Sequence, residues 1–182
     1  MKYNKQQIID RYKKGEKLEF ELFYGHWENK DGKITNTCLS QWFMRDFEVD
    51  GVVYSCAEQY MMASKARLFG CEEVLGMIMS SLHPNDMKGW GRRVRPFDPE
   101  VWEDNCRDIV LKGNLAKFSQ NKDLLEYLLG TGDKIIVEAS PYDAIWGIGM
   151  GKQDPRAKNP MQWNGSNYLG FVLMEVRDRL RG

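Results

Sequence analysis

The sequence predicts an α+β fold, a mainly helical single domain with a small antiparallel sheet. Helix starts are well marked, most clearly where Asp98 supplies an N-cap and Pro99 follows at the first helical position. Asp50-Gly51 stands between the apolar segments FEV and VVY and predicts a two-residue hairpin. The chain has 182 residues with no repeat and no linker, so residues 1–182 are interpreted as one domain with a buried core.

The elements before the hairpin are predicted to be short. Apolar residues on one side predict an amphipathic helix over residues 4–12. Alternating apolar and acidic residues predict a half-exposed strand over residues 18–22. Asp31-Gly32 is a second hairpin signal, which places another turn before the first strong one.

Helices dominate the chain after the hairpin. Capping residues and apolar spacing predict five of them, over residues 56–69, 71–81, 98–118 and 121–130 and from residue 168 onward. A strand is predicted over residues 134–139. Residues 83–96 and 140–167 are predicted to be irregular, and a loop as long as the second is usually functional.

Composition narrows the class of protein. Acidic and basic residues balance at 26 each, so no bulk charge favours nucleic acid or an anionic membrane. Apolar runs are too short to span a bilayer, and the N-terminal residues carry no secretory apolar segment. Four scattered cysteines without a C-x-x-C pair are typical of a reduced compartment. We therefore expect a soluble, cytoplasmic protein that does not bind membranes.

No metal or cofactor site is predicted. The two histidines, His26 and His83, have no zinc-ligand spacing and no nucleophile nearby in sequence. The sequence WGIGMG at residues 146–151 lacks the lysine and the strand–helix context of a phosphate-binding loop. Catalytic chemistry is therefore left to Asp, Glu, Lys, Tyr and Arg side chains.

Residues 54–66, YSCAEQYMMASKA, carry a carboxylate and an ammonium on one predicted helix face. Seven residues span almost two turns, so Glu58 and Lys65 share a stripe with two methionines. Desolvation makes a carboxyl group hold its proton and an ammonium release its proton more readily, as acid–base or amine chemistry requires. The structural alternative is that Ser55-x-x-Glu58 is a capping box and that Lys65 covers the methionines at the surface.

Three further segments set polar groups among tryptophans and glycines. They are the basic patch GWGRRVR at residues 89–95, EASPYDAIWG at residues 138–147, and NGSN at residues 164–167. Backbone N–H groups at the start of the helix after NGSN suit an anion. Each segment also has a structural explanation: a solvated face for the arginines, and turns for Asp143 and Asn164-Gly165.

Taken in order, these segments resemble the NADAR family, also called YbiA-like. The match covers residues 43–177, about three quarters of the chain. Its most specific pieces are YSCAEQY at 54–60, Lys65-Ala66, Gly91-Arg92, Trp102, Lys117-Phe118, LLGTGD at 128–133, Glu138-Ala-Ser, DAIWGIG at 143–149, NGSNYLG at 164–170 and Leu173-Met174. The start departs from the family pattern, since the first fifty residues form a longer, charged extension and Gln41-Trp42-Phe43 stands where an Asn-Phe pair is expected.

The resemblance implies a YbiA-like fold and an N-glycosidase. Relatives are described as cleaving the N-glycosidic bond of phosphoribosylated pyrimidines early in riboflavin synthesis, and other members remove ADP-ribose from guanine in DNA. Both substrates join C1 of a ribose to a base nitrogen and carry a 5′-phosphate. The implied partner is a ribosyl-phosphate or ADP-ribosyl small molecule, with ADP-ribosylated DNA as an alternative. A module that binds ADP-ribose or NAD without cleaving it is the second alternative. Oligomeric state is not predicted.

Three residues that match the family motifs are expected to be catalytic. Breaking a ribosyl C–N bond builds positive charge on the sugar, so Glu58 is expected to stabilise that charge or activate water. Asp143 is expected to position the sugar or the base. In a second scheme the neutral amine of Lys65 attacks C1 and forms a Schiff base, which an ion pair with Glu58 would oppose.

Six further residues are expected to bind substrate. Trp102 and Trp146 are candidates for stacking on the base, with core packing as the alternative for Trp102. Arg92 is the candidate for the 5′-phosphate because its planar fork suits bidentate binding, and Arg93 and Arg95 are weaker candidates. The family motifs add Tyr60, Gly147 and Asn167.

Overall fold

A computed structural model describes residues 2–182. They form seven helices and two two-stranded sheets, which confirms the predicted mainly helical α+β class. In chain order the elements are α1 (Lys5–Lys13), β1 (Phe20–Phe23), β2 (Phe47–Val49), β3 (Val52–Tyr54), α2 (Ala57–Leu68), α3 (Glu72–Ser80), α4 (Pro84–Gly91), α5 (Pro99–Gln120), α6 (Lys122–Gly130), β4 (Ile135–Glu138) and α7 (Tyr168–Arg181). Two compact units are present, one made of the residues up to 40 together with 122–182, and one made of residues 41–121.

The unit that contains both ends of the chain is built on a parallel strand pair. β1 pairs with β4 in the register Phe20 with Ile135 through Phe23 with Glu138, and α7 packs against β4. This pairing joins segments more than 100 residues apart in sequence, which is why the sequence predicted only an antiparallel sheet. The predicted turn at Asp31-Gly32 forms, but no strands flank it, so it is not a hairpin.

The unit of residues 41–121 begins with the predicted hairpin. β2 and β3 pair antiparallel, and the turn residues Asp50 and Gly51 both have positive φ, 53° and 78°, as a two-residue turn of this kind requires. The hairpin leads into α2, which packs against α3, α4 and α5. Buried residues lie on every side of α2, so it is the central helix of this unit.

Helix α4 corrects the prediction that residues 83–96 are irregular. Pro84 occupies the start of the helix, but two glycines and few apolar residues give the segment a weak helical pattern. Packing against α2 stabilises this helix in place of local helix propensity. Gly91 lies so close to Met62 of α2 that a Cβ at this position would meet the methionine sulfur at 2.0 Å. Residues 92–96 are irregular, as predicted.

The long segment between β4 and α7 contains only two short 3-10 turns, at Pro155–Lys158 and Pro160–Gln162. Its two ends are held together by backbone hydrogen bonds, including Asn167 N to Gly147 O at 3.1 Å and Gly165 N to Ile148 O at 2.9 Å. Across residues 2–182, none of the helices combines the length and the apolar character needed to cross a membrane.

Candidate active site

Glu58 is buried in the first turn of α2, with 5 % of its surface exposed. Its backbone N–H donates to Gln41 O at 2.9 Å, which fixes the start of the helix to the segment before the hairpin. The capping box that was the structural alternative for Ser55 and Glu58 does not form. Cys56 is the N-cap residue, and the N–H and hydroxyl groups of Ser55 both donate to Gln59 Oε1 instead.

Polar side chains surround the start of α2 although the region is closed to solvent. Asn114 on α5 is fully buried and donates through Nδ2 to Gln41 Oε1 at 2.7 Å and to Val110 O at 2.8 Å. Lys117, one turn later on α5, is fully buried as well. Buried polar groups of this kind are costly unless they are paired, so their grouping near Glu58 identifies a specialised region of the unit.

Gln41, Asn114 and Lys117 were not among the site residues predicted from the sequence. One signal was available, because Lys117 follows Val110 by seven residues and Cys106 by eleven, which places a lysine on the apolar face of α5. Gln41 has no local signal, since its partner Asn114 is 73 residues away in sequence.

Lys65 lies further along α2 in an aromatic cage. Its Nζ is 4.3 Å from the centroid of the Phe97 ring and 5.3 Å from that of Trp102. Burial lowers the pKa of Lys65 from its ordinary value, and the like charge of Arg95 lowers this pKa further. Within residues 2–182 no carboxylate forms an ion pair with Lys65. The neutral amine is thus more accessible at Lys65 than at an ordinary lysine.

Trp102 is half-buried, with its ring beside the Lys65 ammonium. Trp102 is therefore not packed in the core, which was the alternative role predicted for it. Phe97, which the sequence reasoning missed, forms the other wall of the cage and contacts Phe69 at 5.2 Å between ring centroids. The cage therefore combines two aromatic faces with one amine.

Arg92 is exposed and lies directly after Gly91, the residue that packs on Met62. Its side chain lines an open depression of about 700 Å³ together with Trp90 and Arg93, and neither Glu58 nor Lys65 borders this depression. Arg95, which donates to Arg92 O at 3.1 Å, is the arginine whose charge acts on Lys65. Arg95, one of the two arginines that were the weaker candidates from sequence, is thus the one whose charge reaches the amine.

Tyr60 is a packed residue on the far side of α2 from Glu58, since two residues rotate about 200° around a helix. Its ring meets Tyr54 edge to face at 5.0 Å and approaches Gly113 of α5 so closely that a Cβ there would lie 2.4 Å from the ring. Burial raises the pKa of Tyr60. With 6 % of its surface exposed, Tyr60 joins the hairpin, α2 and α5.

Asp143 organises the loop after β4 in the other unit. Its Oδ1 accepts hydrogen bonds from Ile145 N at 2.9 Å and Trp146 N at 2.8 Å, and its carbonyl accepts from Gly149 N. This turn is the structural role that was anticipated as the alternative for Asp143. It also fixes the half-exposed Trp146 ring, which contacts Tyr168 edge to face at 6.0 Å.

Gly147 and Asn167 close the same loop against the start of α7. A Cβ on Gly147 would lie 2.8 Å from Glu138 O, so no larger residue fits there. Asn167 is fully buried with a left-handed φ of 56°, and its side-chain amide bridges the end of β4 by accepting from Glu138 N and donating to Ile136 O, each at 3.0 Å. Both residues hold the position of Asp143 and Trp146.

The nine predicted site residues thus fall into two groups. Glu58, Tyr60, Lys65, Arg92 and Trp102 belong to residues 41–121, and Asp143, Trp146, Gly147 and Asn167 belong to the other unit. Within the first group, α2 carries a buried carboxylate and a caged amine. Among residues 2–182, no group of three or more His, Cys, Asp or Glu side chains is arranged to hold a metal ion.

The chain is similar to several known proteins over most of its length. The chain is 44 % identical over 165 residues to N-glycosidase R617 of Acanthamoeba polyphaga mimivirus, covering 88 % of this chain and 95 % of that protein. The NMR structure of Escherichia coli YbiA superposes with a TM-score of 0.71 at 27 % identity and covers 90 % of this chain and 85 % of that one. The maize riboflavin biosynthesis protein PYRR, chloroplastic, is 28 % identical over 88 % of this chain, which spans only 25 % of that longer protein.

A family model for the NADAR domain matches residues 22–181. The match includes both groups of site residues and the second half of β1, which pairs with β4. The chain belongs to the NADAR family.

Proposed function

We propose that this protein hydrolyses the C1–N bond between a 5′-phosphorylated ribose and a base. Relatives named N-glycosidase, among them the mimivirus protein and YbiA, support the reaction class, hydrolysis of N-glycosyl compounds. The observation that carries the proposal is the carboxylate of Glu58, buried at the start of α2 on the same helix as a caged lysine of lowered pKa.

Glu58 is assigned to the positive charge that develops on the ribose as the C–N bond breaks. A carboxylate in a region shielded from water acts more strongly on such a charge than one in solvent. Its place in the first turn adds the favourable field of the helix N-terminus, which stabilises the ionised form. In the same role Glu58 can accept a proton from the attacking water.

Lys65 offers a covalent route to the same products. In it, the lone pair of the neutral amine forms a bond to C1 while the C1–N bond to the base breaks, and the departing base takes up the proton that Nζ loses. Ring opening then gives an imine between Nζ and C1, which water hydrolyses to release the ribose and restore the amine. The lowered pKa and the lack of an ion pair among the described residues both favour this route.

The remaining residues are assigned to binding the substrate or to holding the residues that bind it. We assign Trp102 and Trp146 to the planar base, because each indole is half-buried and keeps part of its surface for a ligand. Arg92 is assigned to the 5′-phosphate, with Arg95 as the second candidate since its charge reaches Lys65. Asp143 positions the sugar or the base, and Gly147 and Asn167 hold its loop. Tyr60 acts through packing of α2.

The substrate we favour is a phosphoribosylaminopyrimidine of early riboflavin synthesis, because a protein named for riboflavin biosynthesis matches 88 % of this chain. ADP-ribosylated guanine in DNA is the second candidate. One observation favours it: Arg92 and Arg93 are exposed on one depression, and the Arg93 guanidinium lies 4.6 Å from the Trp90 ring centroid, an arrangement suited to phosphates beside a base.

The test is a parallel hydrolysis assay on a phosphoribosylaminopyrimidine and on DNA that carries ADP-ribosyl guanosine. We expect Glu58→Gln to lower kcat on the true substrate by about 100-fold or more, since it removes the charge and keeps the shape. Glu126→Gln, a change at an exposed carboxylate of α6, is the matched control and should retain wild-type kcat.

Two outcomes would contradict the proposal. Equal activity of Glu58→Gln and wild type on both substrates removes Glu58 from catalysis. A wild-type protein that binds ADP-ribose tightly but cleaves neither substrate is a binding module and not a glycosidase.

A further inference from the structure

One acid and one base are buried in the unit of residues 41–121, every residue of which is described. Glu58 is its only buried acidic residue and Lys117 its only buried basic residue. Their exposed fractions are 5 % and 0 %. An isolated buried ion costs several kcal/mol unless an opposite charge or hydrogen bonds compensate it. Pairing the two opposite charges would offset the free-energy cost of burying each of them.

Hydrogen bonds connect the helices that carry these two charges. Asn114, three residues before Lys117 on the same face of α5, donates to Gln41 Oε1, and Gln41 O accepts from Glu58 N. The chain from α5 to the first turn of α2 thus consists of two short contacts, 2.7 and 2.9 Å. It sets the distance and the register between the Lys117 turn and the Glu58 turn.

Both charges affect the pKa of the thiol of Cys56, the N-cap residue of α2. Burial raises the pKa of its thiol to about 11, the Glu58 carboxylate raises it as well, and the Lys117 ammonium lowers it. The geometry gives the same neighbourhood, because Lys117 Nζ lies 5.7 Å from the ring centroid of Phe43 and Glu58 N donates to Gln41 O, two residues before Phe43. Both charges are therefore tied to the same short segment before the hairpin.

The surroundings of the Lys117 ammonium favour a cation. Its Nζ lies 5.7 Å from the Phe43 ring centroid and 5.2 Å from that of Phe118. One turn before it, the buried Oδ1 of Asn114 has no hydrogen-bond donor among the described residues, so its negative end is not neutralised. These groups support an ammonium but do not replace a full counter-charge.

We propose that Lys117 is a positioning residue whose ammonium is the counter-charge of the Glu58 carboxylate. The Gln41–Asn114 amide pair holds α2 and α5 in the register that this pairing needs. Lys117 thereby keeps Glu58 ionised and oriented in a buried site. The catalytic consequence rests on the proposed function, whereas the pairing itself does not.

The pairing is tested by a double-mutant cycle on thermal unfolding with Glu58→Gln, Lys117→Met and the double variant. Glu58→Gln leaves the buried Lys117 ammonium without its opposite charge, and Lys117→Met does the same to the Glu58 carboxylate. We expect Lys117→Met to lower Tm by about 10 °C. The double variant should lose clearly less than the sum of the two single losses. If Lys117→Met alone does not fold, the double variant decides, because it regains folding only when Glu58 is the partner.

Lys112→Met is the matched control on the same helix. Lys112 pairs at 2.6 Å with the exposed Asp50, so this change should alter Tm little and should add to Glu58→Gln without coupling. Additive losses for Glu58→Gln and Lys117→Met, or a double variant that stays unfolded, would overturn the pairing.

Kinetics test the positioning role separately. Lys117→Met should lower kcat by about tenfold or more while KM changes by less than about threefold, since the Glu58 charge matters most in the transition state. A loss confined to KM would overturn the positioning role. Wild-type protein that is inactive on both substrates would refute the proposed function and leave the result of the unfolding cycle intact.

Discussion

At the scale of single residues, the environment of Lys65 decides what its amine can do. The sequence placed Lys65 and Glu58 on one stripe, and an ion pair between them would have kept the lysine protonated. Instead Phe97 and Trp102 surround Nζ, and the nearby charge of Arg95 has the same sign. Both effects lower the pKa of Lys65, so a larger fraction of the amine is neutral near physiological pH than at an ordinary lysine.

This environment predicts that Lys65 can be trapped. Sodium borohydride added during turnover should reduce an imine to a stable ribosyl adduct on Lys65, identified by peptide mass spectrometry. Because the neutral amine attacks, the adduct yield should rise with pH up to the lowered pKa and then level off. Lys65→Met should give no adduct, and Lys112→Met, at an exposed lysine of α5, should give the wild-type yield. Turnover without any adduct would exclude the covalent route and leave Glu58 as the main catalytic group.

Residue-scale prediction from sequence succeeded where periodicity sets the outcome and failed where distant partners do. Helical spacing was sufficient to predict that Lys65 lies on an apolar face. The capping box was wrong because Ser55 bonds Gln59, one residue further along the helix, and a sequence motif does not choose between these acceptors. The buried pair of Gln41 and Asn114 depends on contacts across 73 residues, which local patterns do not encode.

At the scale of elements, α2 packs closely against glycines of two neighbouring helices. Gly91 of α4 faces Met62, whose flexible side chain can move, whereas Gly113 of α5 faces the rigid ring of Tyr60. The contact at Gly91 also explains why α4 forms despite its weak helical pattern. Its glycine allows a close approach to α2, and the resulting burial compensates for poor propensity.

Gly113→Ala should therefore destabilise the protein. The added Cβ would lie 2.4 Å from the Tyr60 ring, and overpacking of this kind costs about 1–3 kcal/mol, more than the helix propensity of alanine returns. Gly76→Ala is the matched control, because Gly76 lies inside α3 with no atom within 4 Å of a Cβ. The control should be neutral or more stable by up to about 1 kcal/mol. Chemical denaturation measures the free energy of unfolding of both variants. An equal midpoint for the two would show that α2 and α5 can move apart to fit the added Cβ without loss of stability.

At the scale of the whole molecule, family membership and fold were predictable because the motifs recur in order along the chain. The parallel pairing of β1 with β4 was not, since it depends on two four-residue segments that meet only in the folded unit. The candidate site shows the same contrast between what local motifs predict and what long-range contacts decide. Its residues were named from sequence in both units, while the geometry of each group comes from contacts inside its own unit.

The balance of charge across the chain gives a test that separates the two candidate substrates. With 26 acidic and 26 basic residues, the molecule has no general attraction for DNA, so binding to a DNA substrate would depend on local contacts such as those of Arg92 and Arg93. A small substrate with one phosphate releases few counterions, and kcat/KM on it should fall by no more than about fourfold between 50 and 200 mM salt. Duplex DNA bound through several phosphates would lose about a thousandfold or more in affinity over the same range.

A steep salt dependence on the DNA substrate that is abolished by Arg92→Ala together with Arg93→Ala would identify DNA as the partner of this surface. A shallow dependence on the phosphoribosyl substrate, with no measurable DNA activity, would establish the small molecule as the substrate.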